Sequence, residues 1–278
     1  MRIEFLWYVE MMILAQVESW PVPLLEYLAS QHEMLLAHAR HDRETMNAYF
    51  APKKEHIPMA MMPSNPHFKA REHATRAVLE LLQFTTLRGW HCTRLTRNEV
   101  EHITTLGMQP PNLQVLQNRI RRVQPDDMFE DKIAERLIEE NQAGDSNRNG
   151  MIWFCFFEPR ITGQSGIERL FRSWGGEALY NSHERDPQTG KALQLIGRPC
   201  LIEADVPISS FSRITNLGDK VIRRYLLSNG YDTGEEWEHE DRAHKPIPAA
   251  NIVRFVFHGE SEFAVLTGCD SWEPPLDG

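Results

Sequence analysis

Cysteine is scarce and scattered. The chain holds four in 278 residues, at Cys92, Cys155, Cys200 and Cys269. No two form a Cys-x-x-Cys pair, which speaks against a zinc knuckle. No secretory context accompanies them, so reduced thiols are expected. Cys155 and Cys200 lie in apolar strand-like runs and read as small core residues. Positive charge is also short: 30 Lys and Arg stand against 39 Asp and Glu, a formal net charge of -9. That balance argues against non-specific binding along a nucleic-acid backbone. Two local basic clusters, "NRIRRV" (118–123) and "VIRRYL" (221–226), keep a nucleic-acid partner open, although each also reads as a solvated helix face. Long apolar runs are missing. The N-terminal "FLWYVEMMILA" is too short to span a bilayer, and Glu4 and Glu10 flank and interrupt it. It reads as a buried helix or strand of a cytoplasmic protein with no membrane association. Neither an internal repeat nor a low-complexity tract is present.

What is there is ordinary in bulk and patterned in detail. Hydrophobic residues make up 41% and charged residues 25%, the balance of a globular protein long enough for one large domain or two small ones. Residues 22–50 carry helical spacing, with Leu24, Leu25, Leu28, Leu35 and Leu36 as an apolar stripe behind Pro21 and Pro23. A linker rich in proline and methionine follows, "APKKEHIPMAMMPSNPHF" (51–68). Its methionines offer an adaptable contact surface or plain packing. "KAREHATRAVLELLQF" resumes a helix.

The texture changes at Thr85, where short apolar strands begin to alternate with helices. "GWHCTRL" is strand-like. Thr96 and Glu99 make a capping box for a helix that Gly107 closes. "PDDMFEDKIAERLIEEN" is an amphipathic helix, with Phe129, Ile133 and Leu137 on one side. "MIWFCFF" is a buried strand. "GIERLFRSWGGEALY" is a helix broken or ended near Gly175-Gly176. "PCLIEADVP" is a strand and "LGDKVIRRYLLSNG" a helix. Charged "EEWEHEDRAH" runs into "PIPAANIVRFVFHG", a turn and a strand. The expected fold is α+β, with a helical N-terminal region over 1–84 and a mixed, largely antiparallel domain over 85–278.

Three constellations invite chemistry. His91 and Thr93 stand two apart on a strand and so share a face. An imidazole and a hydroxyl there suit a sugar hydroxyl, and equally suit a satisfied structural pair. "RSWGGEALY" sets a Gly-Gly pair beside Trp174 and Tyr180. Backbone approaches a ligand closely there, or aromatics pack at a helix end. Glu236, Glu238 and Glu240 alternate, so in a strand they form one acidic face. Such a row repels itself unless water, a cation or a ligand's positive charge compensates.

The order of these three resembles the ADP-ribosyltransferase superfamily, in its diphtheria-toxin-like branch. Members there carry His, Tyr and Glu in that order, the Glu often on a strand ahead of a Pro-Ile-Pro turn. Glu240 precedes "PIPAANI" in that way, and Glu238-His239-Glu240 is similar to the Glu-x-Glu pair of other members. The resemblance covers about residues 86–258 and leaves the first third without a counterpart. It implies a split antiparallel sheet with inserted helices and NAD as the substrate. Glu240 would stabilise the oxocarbenium-like ribose carbon and Glu238 would orient or deprotonate the acceptor. His91 and Thr93 would hold the adenosine-side ribose. Tyr180 would stack on nicotinamide, with Trp174 and Phe171 as other aromatics for that place. Arg94 would meet the pyrophosphate. It further implies a macromolecular acceptor, protein or nucleic acid (RNA or DNA), and a toxin-like role in antiviral defence restrained by an inhibitory protein partner. Three alternatives stay open. A metal-dependent hydrolase or nuclease would use Glu236, Glu238, Glu240, His239 and His244, although no His-Glu-x-x-His motif is present. An NAD glycohydrolase would share every residue named. A non-enzymatic binding partner would keep only the fold.

Overall fold

The computed structural model describes residues 10–51, 63–123, 130–211, 216–234 and 238–276. Met59, Met61 and Met62 of the proline-rich linker, Phe129 and Glu236 lie outside these. The chain forms two compact units, Met1–Thr86 with Arg213–Trp237, and Leu87–Ser212 with Glu238–Gly278. The first division lies between Thr86 and Leu87, where one between 84 and 85 was expected. The second unit, however, is interrupted: residues 213–237 leave it and belong with the N-terminal helices.

The first unit is helical. Helices span Val22–Ser30, His32–Phe50, Phe68–Leu82 and Leu217–Ser228. The stripe expected over 22–50 is thus two helices, parted at Gln31. Leu24, Leu28, Leu35, Val78, Leu82 and Ile222 are fully buried between them. Gly218 permits a close crossing, since a Cβ there would meet the Thr75 side chain at 2.8 Å. The "VIRRYL" arginines are committed within this unit: Arg223 pairs with Asp219, which also pairs with Arg71, and Arg224 donates to the Ala15 carbonyl. Of the N-terminal apolar run, Met11–Met12 is a two-residue strand, β1, with Met12 and Leu14 fully buried.

The second unit is α+β. Its strands are β2 (Thr86–Leu95), β3 (Ile152–Cys155), β4 (Arg198–Pro207), β5 (Glu240–Ala243) and β6 (Ile252–Phe257). They line up in the order β5-β3-β2-β4-β6. The pairs β2–β3, β3–β5 and β4–β6 are antiparallel. Apolar side chains of β4 and β6 and of the helices Gln164–Arg172 and Ser261–Thr267 build one core, around Phe171, Leu201, Val256, Phe263 and Trp272. Helices Leu113–Val123 and Asp131–Glu139 help build a second, around Ile120, Leu137, Trp174, Leu179 and Leu193. Cys155 and Cys200 are buried as expected, and all four cysteines are free thiols. Among the described residues, no helix is long and apolar enough to cross a membrane.

Two local predictions are met atom by atom. Thr96 accepts from the Glu99 backbone N–H, and the Glu99 carboxylate accepts from the Thr96 N–H, so the capping box closes at the start of the Arg97–Leu106 helix. Gly107 ends that helix at φ 76°. A Cβ there would stand 2.0 Å from the Ile247 carbonyl oxygen, which only glycine avoids. The Gln164–Arg172 helix ends before Gly175-Gly176, and a new one spans Glu177–His183.

Candidate functional site

A cleft of about 530 Å³ opens in the second unit, within the ~300–1,000 Å³ of small-molecule sites. His91 and Thr93 from β2, Cys155 and Trp153 from β3 and Glu240 from β5 line it. So do Glu99 and His102 from the Arg97–Leu106 helix, Arg119 and Arg122 from the Leu113–Val123 helix, and Arg148, Gly175, Gly176 and Glu177.

Strand register explains why Glu240 is there. Trp90 stands opposite Cys155, and Cys155 opposite Glu240. Residues directly opposite in a sheet project to the same face, so the thiol and the carboxylate meet: Cys155 Sγ donates to Glu240 Oε1 at 3.6 Å. Cys92 closes in on the other side. Its thiol is pushed well up by its hydrogen bond with Cys155, by burial and by the charge of Glu240. The Cys92 thiol is therefore a protonated neighbour rather than a nucleophile in this arrangement.

His91 is held by its Nδ1, 2.8 Å from the carbonyl oxygen of Trp153. A carbonyl only accepts, so Nδ1 carries the hydrogen and Nε2 keeps a free lone pair while the ring is neutral. Burial lowers the pKa of this imidazole, and the charge of Arg119 lowers it further against that carbonyl bond. The ring therefore presents a hydrogen-bond acceptor. Thr93 is partly buried beside it.

The rim on the helical side is ionic. Arg119 donates to Glu99 at 2.7 Å. Glu99 also accepts from the Trp174 indole N–H at 2.9 Å. Burial raises the Glu99 pKa, but Arg119, the Thr96 amide and the indole outweigh it, and the carboxyl titrates below its ordinary range. Arg148 pairs with Asp145 and Glu177. Arg122 is exposed and has no ion-pair partner among the described residues.

The expected residues divide into two groups. His91, Thr93 and Glu240 all line the cleft, although the register that sets Trp90 opposite Cys155 and Cys155 opposite Glu240 projects His91 and Thr93 to the other face of the sheet. Arg94 does not reach the cleft: it is 2% exposed and donates to the carbonyls of Ile196, Phe171, Gln194 and Gly197. Burial pushes its pKa down to about 10. It pins the chain that leads into β4 and cannot also meet a pyrophosphate. Trp174 is fully buried, with Arg119 over its ring at 4.9 Å. Tyr180 is buried, covered by Arg169 at 4.1 Å, and donates to Glu177. Phe171 is core. None of these aromatics is open for nicotinamide to stack on. Glu238 is exposed ahead of β5 and does not line the cleft, whereas His239 is buried on the other side of the strand. That alternation is the one expected. Among the described residues no group of three or more His, Cys, Asp and Glu is placed to hold a metal ion.

Sequence reasoning missed Arg119, Arg122 and His102. The helical spacing of "NRIRRV" was the available signal, but only packing shows which of its arginines turn to the cleft. Comparison with protein-family models, curated proteins and solved structures gives no match.

Proposed function

We propose that this chain is an NAD-consuming mono-ADP-ribosyltransferase. In this reading the second unit has an ADP-ribosyltransferase-like split sheet, and the acceptor is a macromolecule. One observation carries it: His91 and Glu240, from opposite ends of the second unit's sequence, line the same cleft. Two further features support it. His91 offers Nε2 as an acceptor for a ribose hydroxyl. Arg122 offers an uncommitted positive charge to a diphosphate.

The chemistry follows from the leaving group. Nicotinamide in NAD is cationic, so the bond to ribose C1′ breaks with its electron pair going to the ring nitrogen, and no acid is needed. Positive charge grows on the ribose, as in glycoside cleavage. The Glu240 carboxylate, steadied by the Cys155 thiol, opposes that charge and accepts from the 2′-hydroxyl. A preorganised group of this type is worth about 3–4 kcal/mol. Glu238, outside the cleft, faces the acceptor rather than NAD. Four free thiols suit a reducing cytoplasm. A toxin-like enzyme of this type needs restraint by an inhibitory partner.

The test is nicotinamide release from NAD by purified protein, with EDTA present. Wild type is expected to release it. Glu240→Gln is expected to fold normally, because the side chain is exposed, and to be slower by about 10²–10³. Equal rates would remove Glu240 from the chemistry, and dependence on a divalent ion would favour a metal hydrolase. Release with no labelled acceptor identifies a glycohydrolase.

A further inference from the structure

We propose that Trp153 and Arg242 form a stacking platform for a nucleobase, so that the acceptor is a single-stranded nucleic acid. The proposal rests on the NAD-consuming reading for its chemistry, and on geometry alone for the binding.

Trp153 pairs with Arg242 across β3 and β5, two positions along from Cys155 and Glu240. Side chains two apart on a strand share a face, so the indole and guanidinium are the next pair on the face that carries Glu240. The spacing is about 7 Å, two strand residues. The Arg242 guanidinium lies 5.1 Å from the indole centroid. Trp153 is nevertheless 41% exposed and lines the cleft. The rest of its strand is buried, as "MIWFCFF" predicts. Trp153 is thus an exposed indole with Arg242 over its ring, beside a candidate catalytic carboxylate.

The chemistry of this pair selects the occupant. An indole face stacks on any base, and an adjacent arginine adds cation–π attraction and meets phosphate. Arg122, exposed and without an ion-pair partner among the described residues, lines the same cleft and supplies a second positive charge. The net charge of -9 disfavours tracking along a duplex backbone, and a duplex hides the base faces that the indole needs. A short unpaired segment satisfies both conditions. In the transfer, a base nitrogen forms the bond to C1′ as the bond to nicotinamide breaks. Nicotinamide leaves with that electron pair, and the proton of the base nitrogen passes to water.

The experiment uses the full chain and mixed-sequence oligonucleotides. Fluorescence anisotropy without NAD measures binding of single-stranded DNA, single-stranded RNA and the matching duplex. Mass spectrometry after incubation with NAD measures transfer to the oligonucleotides and to a mixed protein extract. Wild type is expected to bind single strands better than duplex and to label them. Trp153→Ala is expected to lose about tenfold or more in single-strand affinity, Arg242→Gln to lose affinity with a shallower salt dependence, and Trp153→Phe to regain most of the loss. Single-strand affinity unchanged in Trp153→Ala, no single-strand binding by wild type, or label on proteins alone would each overturn the proposal. Binding that depends on Trp153 with no nicotinamide release would keep the platform and sink the NAD reading instead.

Discussion

The Nδ1 of His91 stands 2.8 Å from the carbonyl oxygen of Trp153, so one imidazole ties β2 to β3 at the edge of the cleft. The bond decides which nitrogen is free. It also makes the backbone of the proposed acceptor platform the support of the proposed ribose contact.

The pH dependence of NAD binding follows from that bond. Burial, with help from Arg119, holds the His91 pKa below its ordinary 6.5. The neutral ring, whose Nε2 accepts, therefore persists as pH falls through 6.5 and is lost only below it. Calorimetric NAD affinity is expected to stay flat across the ordinary histidine range and weaken at lower pH, with the dependence gone in His91→Ala. A midpoint at or above 6.5 in wild type would contradict the assigned role. The same shift has a sign for stability. The unfolded chain takes up this proton more readily, so stability present above 6.5 declines as pH falls toward the lowered value.

Arg94 should behave as a structural anchor. Four carbonyls converge on its guanidinium, and a lysine ammonium cannot span them. Arg94→Lys is expected to cost about 3 kcal/mol or more in urea unfolding, and to leave the NAD affinity of the folded protein unchanged. The opposite pattern, intact stability with NAD binding lost, would return Arg94 to the pyrophosphate.

Glu99 joins three elements, through Thr96, Arg119 and Trp174. Glu99→Gln is expected to lower stability by about 2–3 kcal/mol, because donors on three residues lose a charged acceptor. Arg97→Gln is the comparison. Its ion pair with Glu101 is exposed, at 92% and 64%, and such pairs are worth less than about 1 kcal/mol. Equal shifts in thermal unfolding for the two variants would show that the Glu99 network carries no special weight.

Local features were legible where neighbours in sequence decide them. The capping box of Thr96 and Glu99, the stop at Gly107 and the alternation of Glu238, His239 and Glu240 all depend on short-range geometry. Residue roles that depend on what arrives from elsewhere were not. Trp174 and Tyr180 have the chemistry for stacking, yet packing buries both. Arg94 has the chemistry for phosphate, yet carbonyls from residues 171–197 reach it first.

The sequence by itself determined the α+β class, the helical start and the strand that carries His91, because hydrophobic period and capping residues act over a few positions. Only the tertiary structure decided that 213–237 joins the N-terminal helices, that Trp153 is exposed in a buried strand, and that His91, Arg119 and Glu240 share one cleft. Those outcomes depend on register and on competition for partners among residues distant in the chain, which no local pattern encodes.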